Sequence, residues 1–440
     1  MHATTGRQPA SKLFGHHSMT DLARSRCTGA VVIVATLGAA YIVSMFLRNS
    51  VGVLAPDLAQ TLTLSPPQIA LISSIYFFAF VAAQIPIGVV IDRYGPKRCM
   101  LVCIVVTVAS TLLFGAATSF TAMVTARVLM GLGTSCFLMA PLALYARTFP
   151  PERFALLTGI QLGVGALGGL LATAPLAYAS ALIGWRTSFA VIAGATTVVG
   201  LLILLLIRSD GDHRSTGAHA GAGAPRTSAD TLGEAVRGVA EAWRYPDVGR
   251  LFVLNLTIYS SYAVVVGLWG GPYLTHVYGF SLTERGTLLF APALTQVLGM
   301  IAWGSSERIL GGYKPAIYLG GGLSTALLLI VGIIGRLPPA ALWVWFVAFG
   351  ACAAVTPVAL AHGKALFPPA LVGRGMTLLN IGFMGGGFVS QLISGYVINL
   401  FTSQAGVYPT AAYQAIFLLQ GGFSLFGLVV YRGTREPKPK

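Results

Sequence analysis

Apolar residues come along this chain in long blocks separated by short polar connections. Blocks fall at about 29–55, 66–90, 100–117, from 120, from 154 and at 187–207, and resume at about 251–275, 287–303, 316–335, 341–366, around 380–391 and at 413–431. A helix needs roughly 20 mainly apolar residues to cross the hydrocarbon core of a bilayer, so the pattern predicts twelve crossings. The rhythm breaks once, between 208 and 250, where Gly, Ala, Ser, Asp, Glu and Arg replace the apolar blocks. Residues 231–244 keep helical spacing inside that break and are expected on the membrane surface. The resulting division is a disordered N-terminal tail (1–27), a six-helix unit (28–208), a linker (209–247), a second six-helix unit (248–432) and a short tail (433–440).

Composition supports the membrane reading. Of 440 residues, 55% are hydrophobic and only 9% charged, far below the quarter or so that is usual in soluble domains. The 53 glycines suit membrane helices, which associate through small residues. A net charge of +15 would suggest nucleic acid in a soluble protein, but here Lys and Arg gather in alternate loops, as cytoplasmic connections do, and no basic stripe suits a phosphate backbone. Both termini are then expected in the cytoplasm, with no cleavable signal peptide at the start. The five cysteines (Cys27, Cys99, Cys103, Cys136 and Cys352) lack metal-ligand spacing and read as free thiols, although Cys99 and Cys103 share a helix face; His16-His17 reads as incidental. Neither a metal nor a cofactor is expected.

Polar residues inside the apolar blocks are the candidates for chemistry. Arg48, followed by Asn49 and Ser50, interrupts the first helix, and Arg127 interrupts the fourth. A cation within a span is expensive unless it faces a cavity or a partner. With the first helix ending at Pro56, each arginine lies about eight residues from the same surface, roughly 12 Å deep. In the seventh helix Asn255, Tyr259, Tyr262 and Trp269 share a face, and Tyr76 adds a phenol from the second. All thirteen acidic residues fall at helix ends, in loops or in tails. The cavity is therefore expected to hold cations and aromatic hydroxyls, which favours an anionic ligand over an organic cation. No Ser-His-Asp, paired-carboxylate or metal-ligand constellation suggests an enzyme.

The charged connection after the second block reads Gly88-Val-Val-Ile-Asp92-Arg93-Tyr-Gly95-Pro-Lys97-Arg98. Gly88 would allow close helix approach and Gly95 a tight reversal, while Asp92 sits where it can pair with a cation or a helix N-terminus. A degraded copy follows the eighth block, with Glu307-Arg308, Gly311-Gly312 and Lys314. Phe149-Pro150-Pro151 and Phe367-Pro368-Pro369 each precede a glycine-rich helix, 218 residues apart, which marks two related halves.

The charged connection resembles the signature loop of the major facilitator superfamily of secondary transporters, and Arg127-x-x-x-Gly131-x-Gly133 is similar to a second motif of that family. This resemblance spans about 28–432 and implies an all-α membrane protein whose twelve transmembrane helices form two pseudo-symmetric six-helix bundles with alternating access to a central cavity. Helices 1, 4, 7 and 10 usually line that cavity. Gly163 to Gly169 looks like the family's antiporter motif, but Ala166 stands where that motif has proline. Arg48, eight residues before Pro56, is similar to the anchor of the organophosphate antiporters, whose second arginine in helix 7 is missing here. A monoanion such as a carboxylate is the expected substrate, bound by Arg48, Asn49, Tyr76, Arg127, Asn255, Tyr259 and Tyr262. Gly88, Asp92, Arg93, Gly95, Lys97 and Arg98 would form a gating latch. The expectation is a monomer in a bacterial inner membrane, with the bilayer and a small molecule as partners; the alternatives are efflux of amphipathic compounds and a transporter-like sensor.

Overall fold

The computed structural model describes residues 19–207, 232–304, 306–368, 371–403 and 406–436. The expected tail up to residue 18, the flexible stretch at 215–229 and the last four residues lie outside the described residues. Twelve helices are long and apolar enough to cross a membrane. In the N-terminal bundle these are α1 (Met19–Leu62), α2 (Pro66–Tyr94), α3 (Pro96–Ala116), α4 (Phe120–Thr148), α5 (Pro151–Leu171) and α6 (Trp185–Leu206). In the C-terminal bundle they are α7 (Val248–Tyr278), α8 (Leu282–Trp303), α9 (Tyr313–Ile334), α10 (Pro339–Leu366), α11 (Val372–Ile398) and α12 (Thr410–Tyr431). No strand occurs among the described residues.

The first helix is longer than its apolar block at both ends, and at its C-terminal end this is because Pro56 is absorbed into the helix instead of ending it. A proline deletes one donor, a loss that neighbouring helices make tolerable in a membrane protein. Arg48 therefore lies fourteen residues from the helix end, roughly 21 Å along the axis, and is deeper than the expected position.

A seam of glycine helps hold each bundle together. In α5, a side chain on Gly165 would strike the Tyr41 ring, and one on Gly168 would strike the Ile42 carbonyl of α1. In α11, a side chain on Gly386 would strike the Leu256 carbonyl of α7. The pairs α1–α5 and α7–α11 are equivalents under the half-chain repeat, so the same device appears twice. Close backbone approach of this kind is how membrane helices gain packing without a hydrophobic driving force.

Breaks also repeat. α4 is interrupted at Ser135, between Phe120–Thr134 and Cys136–Thr148, and α10 is interrupted at Ala354–Val355, between Pro339–Ala353 and Thr356–Leu366. The seventh helix has a π-helical turn, Val265–Trp269. Such a turn leaves an α-type carbonyl without its usual donor. Gln391 of α11 donates from Nε2 to the Ala263 carbonyl at 2.7 Å, and Trp269 donates to the Ser394 hydroxyl at 2.7 Å.

One face of the molecule carries the linker and the connections α2–α3 and α8–α9; it is called here the terminal face. The linker helix Leu232–Trp243 packs there, with Glu241 accepting from Arg374 of α11 at 3.2 Å and Trp243 edge-on to Phe252 at 5.0 Å. Beyond α12 lies Glu436, whose carboxylate accepts from the backbone N–H groups of Tyr313 and Lys314 at 2.6 and 3.0 Å. Those groups open α9 and have no helical acceptor, which makes the site favourable for an anion.

Candidate functional site

Arg48 and Arg127 meet a pair of stacked rings on α2. Tyr76 and Phe80 are one turn apart with ring centroids 6.2 Å apart. The Arg127 guanidinium lies 4.7 Å from the Tyr76 centroid, and that of Arg48 lies 4.8 Å from the Phe80 centroid. A cation over an aromatic face is attracted by the ring quadrupole, more strongly when both are withdrawn from water.

The two arginines differ in what else they touch. Arg127 is wholly buried and donates to three backbone carbonyls: Leu47 at 2.6 Å, Ile72 at 3.0 Å and Ser73 at 3.3 Å. These belong to α1 and α2, so its fork ties three helices of one bundle together. Sequence reasoning placed Arg127 on the cavity wall; the geometry instead commits its donors to helix bracing. The neighbouring Gly131 makes this possible, since any side chain there would strike the Tyr76 carbonyl and hold α4 away from α2.

Arg48 is 5% exposed, and its Nε has no hydrogen-bond partner. None of the ion pairs among the described residues includes it. Its electrostatic neighbours are the phenols of Tyr76, Tyr259 and Tyr41. Tyr76 pairs through its hydroxyl with Thr134 at 2.6 Å, which fixes the ring next to the α4 break. Tyr259 comes from the other bundle, stacked on Phe383 at 3.8 Å and edge-on to Phe77 of α2 at 6.4 Å. Arg48 thus lies where the two bundles meet.

Other candidates are more distant from this centre. Asn49 donates to the Met45 carbonyl within its own helix and faces Gly169 of α5. Asn255 donates to Leu251, one turn back, while its buried Oδ1 is unpartnered. Tyr262 stacks parallel to Phe349 of α10 at 6.5 Å, so it belongs to the C-terminal bundle's aromatic layer.

At the face opposite the linker the bundles are closed against each other. Gly52 of α1 lies against the backbone of Val266 and Gly267, Gly286 of α8 against Ala177, and Gly395 of α11 against Ala70 of α2. Arg285 of α8 is buried and crosses the interface: it donates to the Asp57 carboxylate, to the Val53 carbonyl at 2.9 Å and, on its own side, to Thr275 at 3.0 Å. Sequence reasoning missed this pair because it began the eighth helix at 287, which left Arg285 in a loop. A signal was present: Ser281-x-x-Glu284 is a capping box, realised in the structure, and it starts the helix before Arg285.

The charged connection between α2 and α3, the expected latch, lies at the terminal face. Asp92 and Arg93 are exposed, and Asp92 has no ion-pair partner among the described residues. Lys97 donates to the Leu204 carbonyl at the end of α6, at 2.9 Å. Gly95 has φ +85° and makes the reversal between α2 and α3, as expected, whereas a side chain on Gly88 would meet nothing within 4 Å. The close approach expected at Gly88 is therefore not made in this conformation.

A third grouping was dispersed in the sequence. The sulfur atoms of Cys99, Cys103 and Cys136 all lie within 4.8 Å of one another, buried between α3 and the second half of α4.

Comparison with known proteins matches residues 37–269 and 251–440 to the sequence model of the Major Facilitator Superfamily. A probable sulfoacetate transporter of Cupriavidus necator is 25% identical over 310 residues, covering 68% of each chain. A hexuronate transporter of Bacillus subtilis is 22% identical over 414 residues, 88% of this chain and 90% of that one. Among solved structures, a bacterial homologue of the human lysosomal transporter Spinster, inward-facing and unoccupied, superposes with a TM-score of 0.73 at 17% identity, covering 91% of this chain and 95% of that one.

Proposed function

Because the chain belongs to the major facilitator superfamily and is a multi-pass membrane transporter of that fold, we propose that it carries a small organic anion of carboxylate type by alternating access, with Arg48 as the anchor. One observation carries this reading: Arg48 is a buried cation without a carboxylate partner among the described residues, at the junction of the two bundles. A desolvated charge is costly until something of opposite sign reaches it. An arriving carboxylate supplies that charge and accepts from the guanidinium in a two-pronged arrangement, with the phenols of Tyr76 and Tyr259 within reach to orient it. The substrates in the names of the two relatives, sulfoacetate and hexuronate, are both organic anions, which agrees with this chemistry.

The basic connections and the linker support an orientation in which the terminal face, with both termini, lies in the cytoplasm of a bacterial inner membrane. The closed opposite face and the unengaged Asp92 latch then describe an inward-facing state, and the latch forms when the molecule turns outward. The protein acts as a monomer, since each chain has its own pair of bundles and its own anchor.

Substrate affinity measured on purified protein tests the anchor. Small carboxylates and sulfonates should raise the melting temperature of the wild type. Arg48→Lys keeps the charge and loses the fork, and should weaken binding by about 1.5–3 kcal/mol, the worth of a charge-assisted hydrogen bond. Unchanged anion affinity in folded Arg48→Lys protein would remove the anchor. Transport of many uncharged apolar compounds, insensitive to Arg48, would instead favour efflux of amphipathic molecules.

A further inference from the structure

We propose that Cys99, Cys103 and Cys136 form a three-sulfur site for one thiophilic cation, monovalent copper. This site is separate from the Arg48 centre and belongs to the inner part of the N-terminal bundle, packed with Leu37, Ile91, Phe137, Ala140 and Tyr145.

Geometry selects three ligands. Cys99 and Cys103 are one turn apart on α3, so both thiols project from one face, and the break at Ser135 places Cys136 at the start of the second segment of α4, opposite them. Gly133 is part of the reason: a side chain there would strike Thr107 and the Cys103 carbonyl and push α4 off α3. All three sulfurs are free, buried and within 4.8 Å of one another. A metal with sulfur bonds of about 2.3 Å in a trigonal plane needs sulfurs about 4 Å apart, so a contraction of under about 1 Å closes the ring. Among the described residues no His, Asp or Glu joins the group as a fourth ligand.

Chemistry then selects the ion. Soft thiolates favour monovalent copper, zinc and iron–sulfur clusters. Structural zinc is almost always four-coordinate, and a cluster needs more ligands than are present. Monovalent copper is the one of these that three sulfurs satisfy. When it binds, two thiols release their protons to the medium and the third coordinates as a neutral thiol, so one positive charge enters, two leave and the site becomes singly negative. That charge lies beside the first turn of α3, whose unpaired N–H groups are the positive end of the helix dipole, next to Lys97 and Arg98. On the orientation proposed above, the buried site lies toward the reducing cytoplasm, directly behind the latch loop.

The test uses the purified, reduced full chain under anaerobic conditions, with monovalent copper supplied through the competing chelator bicinchoninate. One copper per chain should bind, and X-ray absorption should show sulfur-only coordination by three atoms. In the wild type, copper should protect Cys99, Cys103 and Cys136, but not Cys352, from alkylation read residue by residue in a mass spectrometer. Removing an outer-shell partner of a metal site costs 10–100-fold in affinity, so Cys136→Ala, which removes a ligand, should cost on the order of 100-fold or more, while Cys352→Ala should leave it unchanged. Failure to hold one copper against the chelator, absence of protection at the three thiols in wild-type protein, or binding that survives Cys136→Ala would each overturn the proposal. The protection experiment needs no variant, so a folding defect in Cys136→Ala does not affect it.

Discussion

Replacing Arg127 by methionine would keep most of the side chain's length and remove the three hydrogen bonds it donates to the carbonyls of Leu47, Ile72 and Ser73, which would keep only their partners within α1 and α2. A hydrogen bond from a charged donor contributes roughly 1.5–3 kcal/mol, and removing the buried charge offsets part of the loss of three, so Arg127→Met is expected to destabilise the protein by about 3 kcal/mol, measured as denaturant unfolding in detergent. Arg48→Met should do the opposite or nothing to stability, because it removes a buried charge that has no ionic partner. Any such variant that remains folded should lose anion binding. A pair of arginines at similar depth looked equivalent along the chain, and only their partners separate them. The distinction was not legible because carbonyl acceptors are contributed by backbone, which every residue has, and no side-chain pattern announces which turn of a neighbouring helix will present them.

At the level of helices, glycines that look alike in the sequence have unlike roles. Gly386 lies against the Leu256 carbonyl, whereas a side chain on Gly385 would meet nothing within 4 Å. Gly386→Ala should therefore force α11 from α7 and cost about 1–3 kcal/mol, while Gly385→Ala should be neutral within error; thermal unfolding of the two variants side by side checks this. The glycine richness of α5 and α11 was readable, but which glycine faces the partner depends on helix rotation, which packing sets. The C-terminal segment gives a second expectation at this scale. Partial burial pushes the Asp247 carboxyl upward, but hydrogen bonds from Arg435 and Arg250, at 2.7 and 2.6 Å, outweigh it and hold the group below its usual value. A depressed folded-state pKa contributes stability above the unfolded value, near 4, and loses it as pH falls through the folded one. The tail should thus stay docked from neutral pH to about 4 and release only below that, seen as faster hydrogen exchange at residues 432–436.

For the whole molecule, the informative contrast is between its two faces. One is closed by Gly52, Gly286, Gly395 and the Arg285–Asp57 pair, and the other has its Asp92 unpaired. Asp57→Asn would remove the charge that crosses the closed face while leaving a hydrogen-bond acceptor, so the population should shift toward the conformation open on that side. The expected readout is increased labelling of a cysteine placed at Val53 or Thr275, with no increase when Asp92→Asn is made instead. Asp92→Asn should weaken the end-state in which the proposed latch forms, the one open on the side that is closed here, and slow turnover while leaving substrate affinity nearly intact, checked by flux and binding measured on the same preparation.

The number of spans, the two-half repeat and the family were all decided by the sequence alone, because each follows from local quantities: how many apolar residues run together, where glycines and charges punctuate them, and how far apart a motif recurs. Gly95 is of this kind, since a positive φ between two helices asks for glycine whatever surrounds it. Only the tertiary structure decided which buried arginine is satisfied, that Arg285 reaches Asp57 from 228 residues away, and that Cys136 joins Cys99 and Cys103. In a bilayer the apolar faces of different helices are nearly interchangeable to the lipid. Rotation and neighbour choice are then set by close packing and a few polar contacts between distant segments, and these do not exist until the helices have met.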